Sequence, residues 1–329
     1  MRRRAFLAAL GGAVVGLPRA LPAQQPDRVR KIGILMPYPY GDPEVRARLA
    51  AFQDELRRLG WSTGINLRLD ERWATDDLAR VRTASAELVR LEPDVIFFTG
   101  GRVTRIIQAE TREIPTVFVG VSDPLGQGLV ASLARPGGNL TGIANPEYTI
   151  TAKLVEILKE MAPAISRIGL VLNPANPSTA FNRRHFEAAA SNLGIEPQFL
   201  PVQQPADIER AFAAFARDQH GGLVFPSDLT VLAHRALVTT LAERHRLPAV
   251  YSDRAMAIAG GLASYSADRQ EMFRQGAAYV NRILRGEKPA DLPVQQPTRY
   301  ELVINTQAAR ALGIALPDVL LARADEVIE

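Results

Sequence analysis

Cysteine is absent from the 329 residues. No disulfide staples the fold and no lipid-modified cysteine can follow a leader, so stability rests on burial, which a chain of this length can supply. Catalytic signatures are missing too: there is no GxSxG elbow, no HExxH pair and no P-loop. The four histidines, His185, His220, His234 and His245, have no metal-ligand spacing. No catalytic set, no metal and no cofactor is therefore expected. Gly126-Gln127-Gly128 with Ala131 resembles a dinucleotide fingerprint, but no strand directly precedes it. The stretch Ala5 to Leu17 is too short to span a bilayer of about 30 Å.

The formal net charge of +4 invites a nucleic-acid reading, but the excess is misplaced. Arg2, Arg3, Arg4 and Arg19 lie in the first 23 residues, which carry no acid, and without them 35 basic residues face 35 acidic ones. No phosphate-binding surface and no nucleic-acid partner are expected. Residues 1–23 instead read as a cleaved signal peptide: a basic start, an apolar stretch, a turn at Pro18 and a small residue at Ala23. Arg3-Arg4-Ala5-Phe6-Leu7 fits a twin-arginine signal, and an ordinary secretory leader fits as well. The expectation is a freely diffusing periplasmic protein, not lipid-anchored.

What is present is a repeat. RKIGILMPYPYGDP runs on to Leu59-Gly60, and SRIGLVLNPANPST runs on to Leu193-Gly194. EIPTVFVGVSD (Glu113 to Asp123) is matched by RLPAVYSD (Arg246 to Asp253). Strands are expected at Lys31 to Met36, Ile65 to Glu71, Asp94 to Phe98 and Thr116 to Gly120, alternating with helices at Pro43 to Leu59, after Asp76 or Asp77 to Arg90, and after Gly100-Gly101. Such alternation implies right-handed crossovers and parallel sheets buried on both faces. The Pro/Gly-rich segment Asp123 to Ile143 breaks the pattern and should leave the first lobe. The order then repeats through a helix at Asp228 to Arg244 and a strand at Ala249 to Tyr251. Helix Asp268 to Arg285 should return to the first lobe, and the stretch from Thr306 to the second. The fold class expected is α/β: two doubly wound parallel-sheet lobes joined by a three-segment hinge.

Ligands of open parallel sheets bind beyond the carboxyl ends of the strands, so facing lobes would share one cleft. From lobe one the loops supply Tyr38, Tyr40, Gly100, Arg102, Ser122 and Asp123. From lobe two they supply Asn173, Asn176, Ser178, Ser227, Asp228, Tyr251 and Asp253. Each has a plainer use: Ser227, Asp228 and Asp253 as helix caps, Ser122-Asp123-Pro124 as a turn, the Asn-Pro pairs as turn formers, Arg102 pointing to solvent. Convergence of tyrosines, hydroxyls and helix N-termini favours a small solute with an anionic or carboxylate group. Asp123 and Asp253 could pair with an ammonium instead.

The segments DPLGQGLVASLARPGGNLTGI, GGLASYSAD and RILRGEKPADLPVQQPTRYELVINTQAARALGIALPDVLLARADEVI resemble the ABC transporter substrate-binding protein family, in its branch of tryptophan- and tyrosine-type binding components. The resemblance implies a type I periplasmic binding protein fold, with crossovers near Thr141 to Ala144, Ser264 to Ser266 and Ile304 to Thr306. The lobes would be 28–142 plus 266–304, and 143–265 plus 305–329. It also implies a non-enzymatic monomer that carries a small solute, amino-acid-like or aromatic, to an ABC permease in the inner membrane. The same clamp presented to a signalling receptor is the alternative.

Overall fold

Short apolar runs in this chain become strands covered on both faces. The computed structural model describes residues 28–329, apart from 76, 146 and 219 and the side chains of 147–149. The leader and Asp76 thus lie outside the described residues. The first sheet holds β1 (Arg30–Met36), β2 (Leu67–Trp73), β3 (Val95–Thr99), β4 (Thr116–Ser122) and β5 (Leu140–Asn145), all parallel, in the order β2-β1-β3-β4-β5. Its crossover helices are α1 (Pro43–Arg58), α2 (Leu78–Arg90) and α3 (Gly101–Glu110). Strand β3 shows the logic: Val95 and Phe97 join the apolar cluster beneath α1, while Ile96 and Phe98 join the one beneath α2 and α3. Alternate residues of one strand serve opposite layers.

The second half repeats the plan. Helix α4 (Glu147–Met161) leads to β6 (Arg167–Leu172), α5 (Thr179–Asn192), β7 (Glu196–Pro201), α6 (Pro205–Phe215) and β8 (Gly221–Phe225). Then come α7 (Leu229–Ala233), α8 (Arg235–Arg244), β9 (Ala249–Tyr251), α9 (Arg254–Ile258), β10 (Ala263–Ala267) and α10 (Arg269–Leu284). The chain ends with β11 (Tyr300–Asn305), α11 (Thr306–Leu312), α12 (Asp318–Ala322) and β12 (Glu326–Ile328). The second sheet runs β12-β11-β10-β9-β8-β6-β7. Its run β7-β6-β8-β9-β10 matches β2-β1-β3-β4-β5 strand for strand, so the duplication read in the sequence is a duplication of topology.

Each half lends a helix to the other. Strand β5 closes the first sheet, yet α4, which follows it, buries Leu154, Val155 and Leu158 against the second sheet. Strand β10 lies in the second sheet, yet α10 buries Met272, Phe273, Ala277 and Val280 beside α1 in the first lobe, as expected for this helix. Phe97 marks the junction, stacked on Phe52 of α1 at 4.1 Å and edge-on to Phe273 of α10 at 5.4 Å. The chain passes between lobes after β5, after β10 and before β11.

Several local expectations are corrected. The segment through Ile143 does not leave the first lobe, because Leu140–Asn145 is its fifth strand, and residues 143–145 belong to that sheet. LTGIAN has no apolar run. It is held by close approach, since a Cβ on Gly142 would stand 2.0 Å from the Phe118 carbonyl oxygen, and by the Thr141 hydroxyl donating to the Leu292 carbonyl at 2.7 Å. Residues 300–304 belong to the second sheet, not the first, because β11 pairs antiparallel with β10. The third crossing therefore precedes Tyr300 and does not fall at Ile304 to Thr306. The helix expected over Asp228 to Arg244 is interrupted at His234, and Arg254–Ile258 adds a short helix. Strand β2 starts at Leu67, leaving Ile65 exposed.

Candidate functional site

Loops at the carboxyl ends of both sheets enclose about 500 Å³ free of protein atoms, part of it open to solvent. The first lobe contributes Tyr38 after β1, Thr99 and Gly100 after β3, Gly101 and Arg102 opening α3, Gly120 and Ser122 of β4, and Gln127 in the next turn. The second contributes Asn176, Pro177 and Ser178 after β6, Ser227 after β8 and Leu229 opening α7. Arg269, the first residue of α10, completes the lining.

The second-lobe wall is fixed by its own hydrogen bonds. The Asn176 side chain donates to Asp228 Oδ2 at 2.8 Å and to the Ser227 carbonyl at 3.2 Å, and accepts from the Ser178 amide and hydroxyl at 3.0 and 2.8 Å. Asp228 spends its other oxygen capping α7 through the Thr230 and Val231 amides. Burial pushes the Asp228 carboxyl above its ordinary range, against the hydrogen bonds it accepts from Asn176 and those amides. A wall already satisfied this way offers shape and few free polar groups.

The opposite wall keeps its donors and acceptors. Helix α3 starts after Gly100 at φ 95 with no side chain capping it, so its first amides face the cavity mouth uncompensated. The Gln127 amide donates to the Ser122 carbonyl at 2.6 Å, but its Oε1 is buried without a partner. Arg269 donates from Nη2 to Ser227 Oγ at 3.2 Å, linking α10 of the first lobe to the second, while its Nε is also buried without a partner. Gly120, at φ 74 where β4 slips register against β5, makes room for this guanidinium: a Cβ there would stand 2.9 Å from Arg269 Nη1.

Of the residues singled out from sequence, Tyr38, Gly100, Arg102, Ser122, Asn176, Ser178 and Ser227 meet in this cavity. Six do not line it. Tyr40 lies outside on the first lobe, 71% exposed, edge-on to Trp73 and under the Arg46 guanidinium. Asp123, at φ 40, is turned into its own loop, where Oδ1 accepts from the Gly126 amide. Asn173 braces the wall from behind, donating to Thr230 Oγ1. Asp228 sits beneath Asn176 as a cap. Tyr251 is wholly buried, stacked on Phe225 at 4.6 Å, because it is the last residue of a strand and its ring follows the strand's alternation into the core. Asp253 caps α9 through the Ala255 amide and pairs with Arg48.

That last contact belongs to a second set of inter-lobe links. Arg48 of α1 meets Asp253 Oδ1 at 2.8 Å, with both side chains nearly buried. Arg235 meets Asp42, the cap of α1, at 2.8 Å, and Arg254 meets Glu44 at 3.2 Å. Burial works to raise the Asp253 pKa, but the guanidiniums of Arg48 and Arg269 and the Ala255 amide outweigh it and hold the carboxyl below its ordinary range. Tyr38 packs against the apolar cores of both lobes. The lobes therefore touch through these ion pairs and through Tyr38, which also lines the cavity.

The loops read from sequence at this rim also held Thr99, Gly101 and Pro177, whereas Gly120, Gln127, Leu229 and Arg269 were missed. A signal existed for Arg269: it follows the carboxyl end of β10, a strand end left out because its chain was expected only to cross back. The Arg48 contact, 205 residues away in sequence, had none.

Comparison with known proteins agrees with this architecture. A structure of an ABC domain from Streptococcus pneumonia in complex with L-Trp is 26% identical, covers 90% of this chain and 100% of its own, and superposes with a TM-score of 0.82. A conserved domain protein from Vibrio cholerae is 28% identical, with coverage of 91% and 100% and a TM-score of 0.84. A tyrosine-binding protein of Clostridioides difficile is 23% identical over 287 residues, 87% of this chain and 81% of that protein. The family model described as ABC transporter substrate binding protein matches residues 37–328, and the chain belongs to that family.

Proposed function

We propose that this protein captures a small organic solute, amino-acid-like or aromatic, between its lobes and hands it to an ABC permease in the inner membrane from the periplasm. The observation that carries the reading is the cavity itself: loops of both sheets line it, and Arg269 and Ser227 reach across it. Solute docks on one lobe, and rotation about the three crossings brings the other over it. The lobes that move are 28–145 with 268–298, and 147–267 with 300–329. The polar lining and fixed second-lobe wall suit holding a molecule, and the protein acts as a monomeric carrier without turnover. The tryptophan- and tyrosine-related names of its relatives support the amino-acid-like class. A periplasmic setting accords with the leader read in residues 1–23.

Native mass spectrometry of freshly purified protein, paired with small-angle scattering before and after solute is stripped by mild denaturation and refolding, tests this. The expected result is a co-purifying small molecule whose removal expands the protein and whose return contracts it. A stripped protein that neither changes dimension nor takes up any solute from an amino-acid and organic-acid library overturns the proposal.

A further inference from the structure

The three ion pairs described between the lobes each have one member fixed beforehand by its own lobe. Asp253 accepts from the Ala255 amide as the cap of α9 while it meets Arg48. Asp42 accepts from the Glu44 and Val45 amides as the cap of α1 while it meets Arg235. In the third pair the fixed member is the cation. Arg254 donates from Nε to Glu326 Oε2 at 3.1 Å and from Nη2 to both Glu326 oxygens at 2.8 and 2.7 Å. Its Nη1 donates across the lobes to Glu44 Oε1 at 3.2 Å. Arg254 opens α9, where helix amides disfavour a cation. Burial also works against its charge, but hydrogen bonding to Glu326 and the attraction of Glu326, Glu44 and Glu301 hold its pKa above the ordinary value. Glu326 is itself anchored: β12 pairs with β11, the neighbouring Asp325 accepts from the Leu302 amide at 2.9 Å, and the Thr306 hydroxyl donates to the Ile328 carbonyl at 3.1 Å.

We infer that Glu326 is a positioning residue for lobe closure: it holds the Arg254 guanidinium by the edge of Nε and Nη2, so that Nη1 is set to receive Glu44 from the other lobe. The inference rests on the solute-receptor reading, which requires the lobes to part and meet. A long side chain on a solvated surface samples many rotamers, and every closure would have to select one of them. A carboxylate gripping one edge of the planar fork makes that selection in advance and leaves the next donor free to reach across. Strand β12 therefore serves closure as well as finishing the edge of the second sheet.

Single-molecule energy transfer tests this on the full-length protein without any solute. The chain has no cysteine, so Ile65→Cys on the first lobe and Val319→Cys on the second, both well exposed, attach one dye pair that reads the distance between lobes. The side chains of Arg254, Glu44 and Glu326 are 31%, 25% and 41% exposed, so the effect is that of a partly solvated ion pair. Glu326→Gln should shorten the dwell in the touching form about two- to fivefold, with circular dichroism melts showing the fold retained. Arg254→Lys should do the same, since an ammonium is no fork to hold one carboxylate and present a donor to another. The deciding comparison is a cycle: once Glu44→Ala has removed the acceptor, adding Glu326→Gln should change the dwell no further. An unchanged dwell in Glu326→Gln would overturn the inference and leave the receptor reading standing. So would an equal loss with and without Glu44, the result expected if Glu326 merely staples β12 to α9. A single fixed distance in the wild type, unaltered in Arg48→Met, would remove both readings.

Discussion

Replacing Arg48 by Met should pull the lobes apart. The substitution keeps the unbranched stem of the α1 side chain and removes the guanidinium that partners Asp253, whose carboxylate is nearly buried and held at 2.8 Å. With the lobes together, breaking one side of a buried pair costs about 3–5 kcal/mol, because the remaining charge stays desolvated. Separation lets water reach Asp253, so the cost falls on the touching arrangement and not on folding. At about 1.4 kcal/mol per tenfold change, even 3 kcal/mol shifts the ratio of touching to separated forms about 100-fold. A solute that binds only the touching form loses affinity by a similar factor. Small-angle scattering of solute-free protein should show an increased radius of gyration, with the melting temperature changed far less. Arg48→Met combined with Asp253→Asn should recover much of the loss, since Asn still caps α9 and no lone charge is left. An unchanged radius and an affinity within about twofold of wild type would refute the reasoning, and so would a double variant no better than the single. The pH dependence has a definite sign. The Asp253 pKa in the touching form lies below its ordinary value, so the link is at full strength above the ordinary carboxylate range. It is lost only as pH falls through the depressed value. The radius of gyration should be flat from pH 8 to about 5, above the ordinary carboxylate pKa, and any opening across that interval would contradict the assignment.

Three further outcomes are expected. Gly120→Val should displace Arg269 and weaken solute binding about tenfold, whereas Gly128→Val carries comparable backbone strain at φ 68 with nothing within 4 Å and should cost stability but not affinity, as read by calorimetry beside thermal melts. Asp228→Asn keeps one oxygen to cap α7 but sets an amide donor against the Asn176 side chain in place of Oδ2, so it should destabilise by about 1–3 kcal/mol. Because the native pKa of Asp228 is raised, the variant should gain on wild type as pH rises from 4 to 8, measured by urea denaturation. Phe97→Ala empties the junction between β3, α1 and α10 and should cost about 3–5 kcal/mol by the same assay.

The strand ends were legible because buried parallel strands are short apolar runs, and ILM of β1 stops at Pro37 and VIFF of β3 just before Gly100-Gly101. Strand β5 was not, since close backbone contact at Gly142 and a hydroxyl bond from Thr141 replace the apolar packing that leaves a pattern. Which sheet receives β11 depends on pairing with β10, and no local periodicity encodes a partner. The cavity lining was half legible for a similar reason. Topology places a loop at the rim, so Tyr38, Arg102 and Ser227 could be named, but side-chain direction sends Tyr251 inward and leaves Tyr40 outside. Arg48 and Asp253 carry no mark of each other in the sequence.

The exchange of α4 and α10 has a consequence for taking the molecule apart. A fragment stopping at the end of the fifth strand would leave Phe97, Val117 and Val119 facing water where α10 belongs, and would carry no cover for the bared surface. The complementary fragment would possess α10 with nothing beneath it. Neither half is a self-sufficient unit despite its complete sheet, so division or reshuffling of this polypeptide is tolerable only where both borrowed helices travel with the strands they shelter.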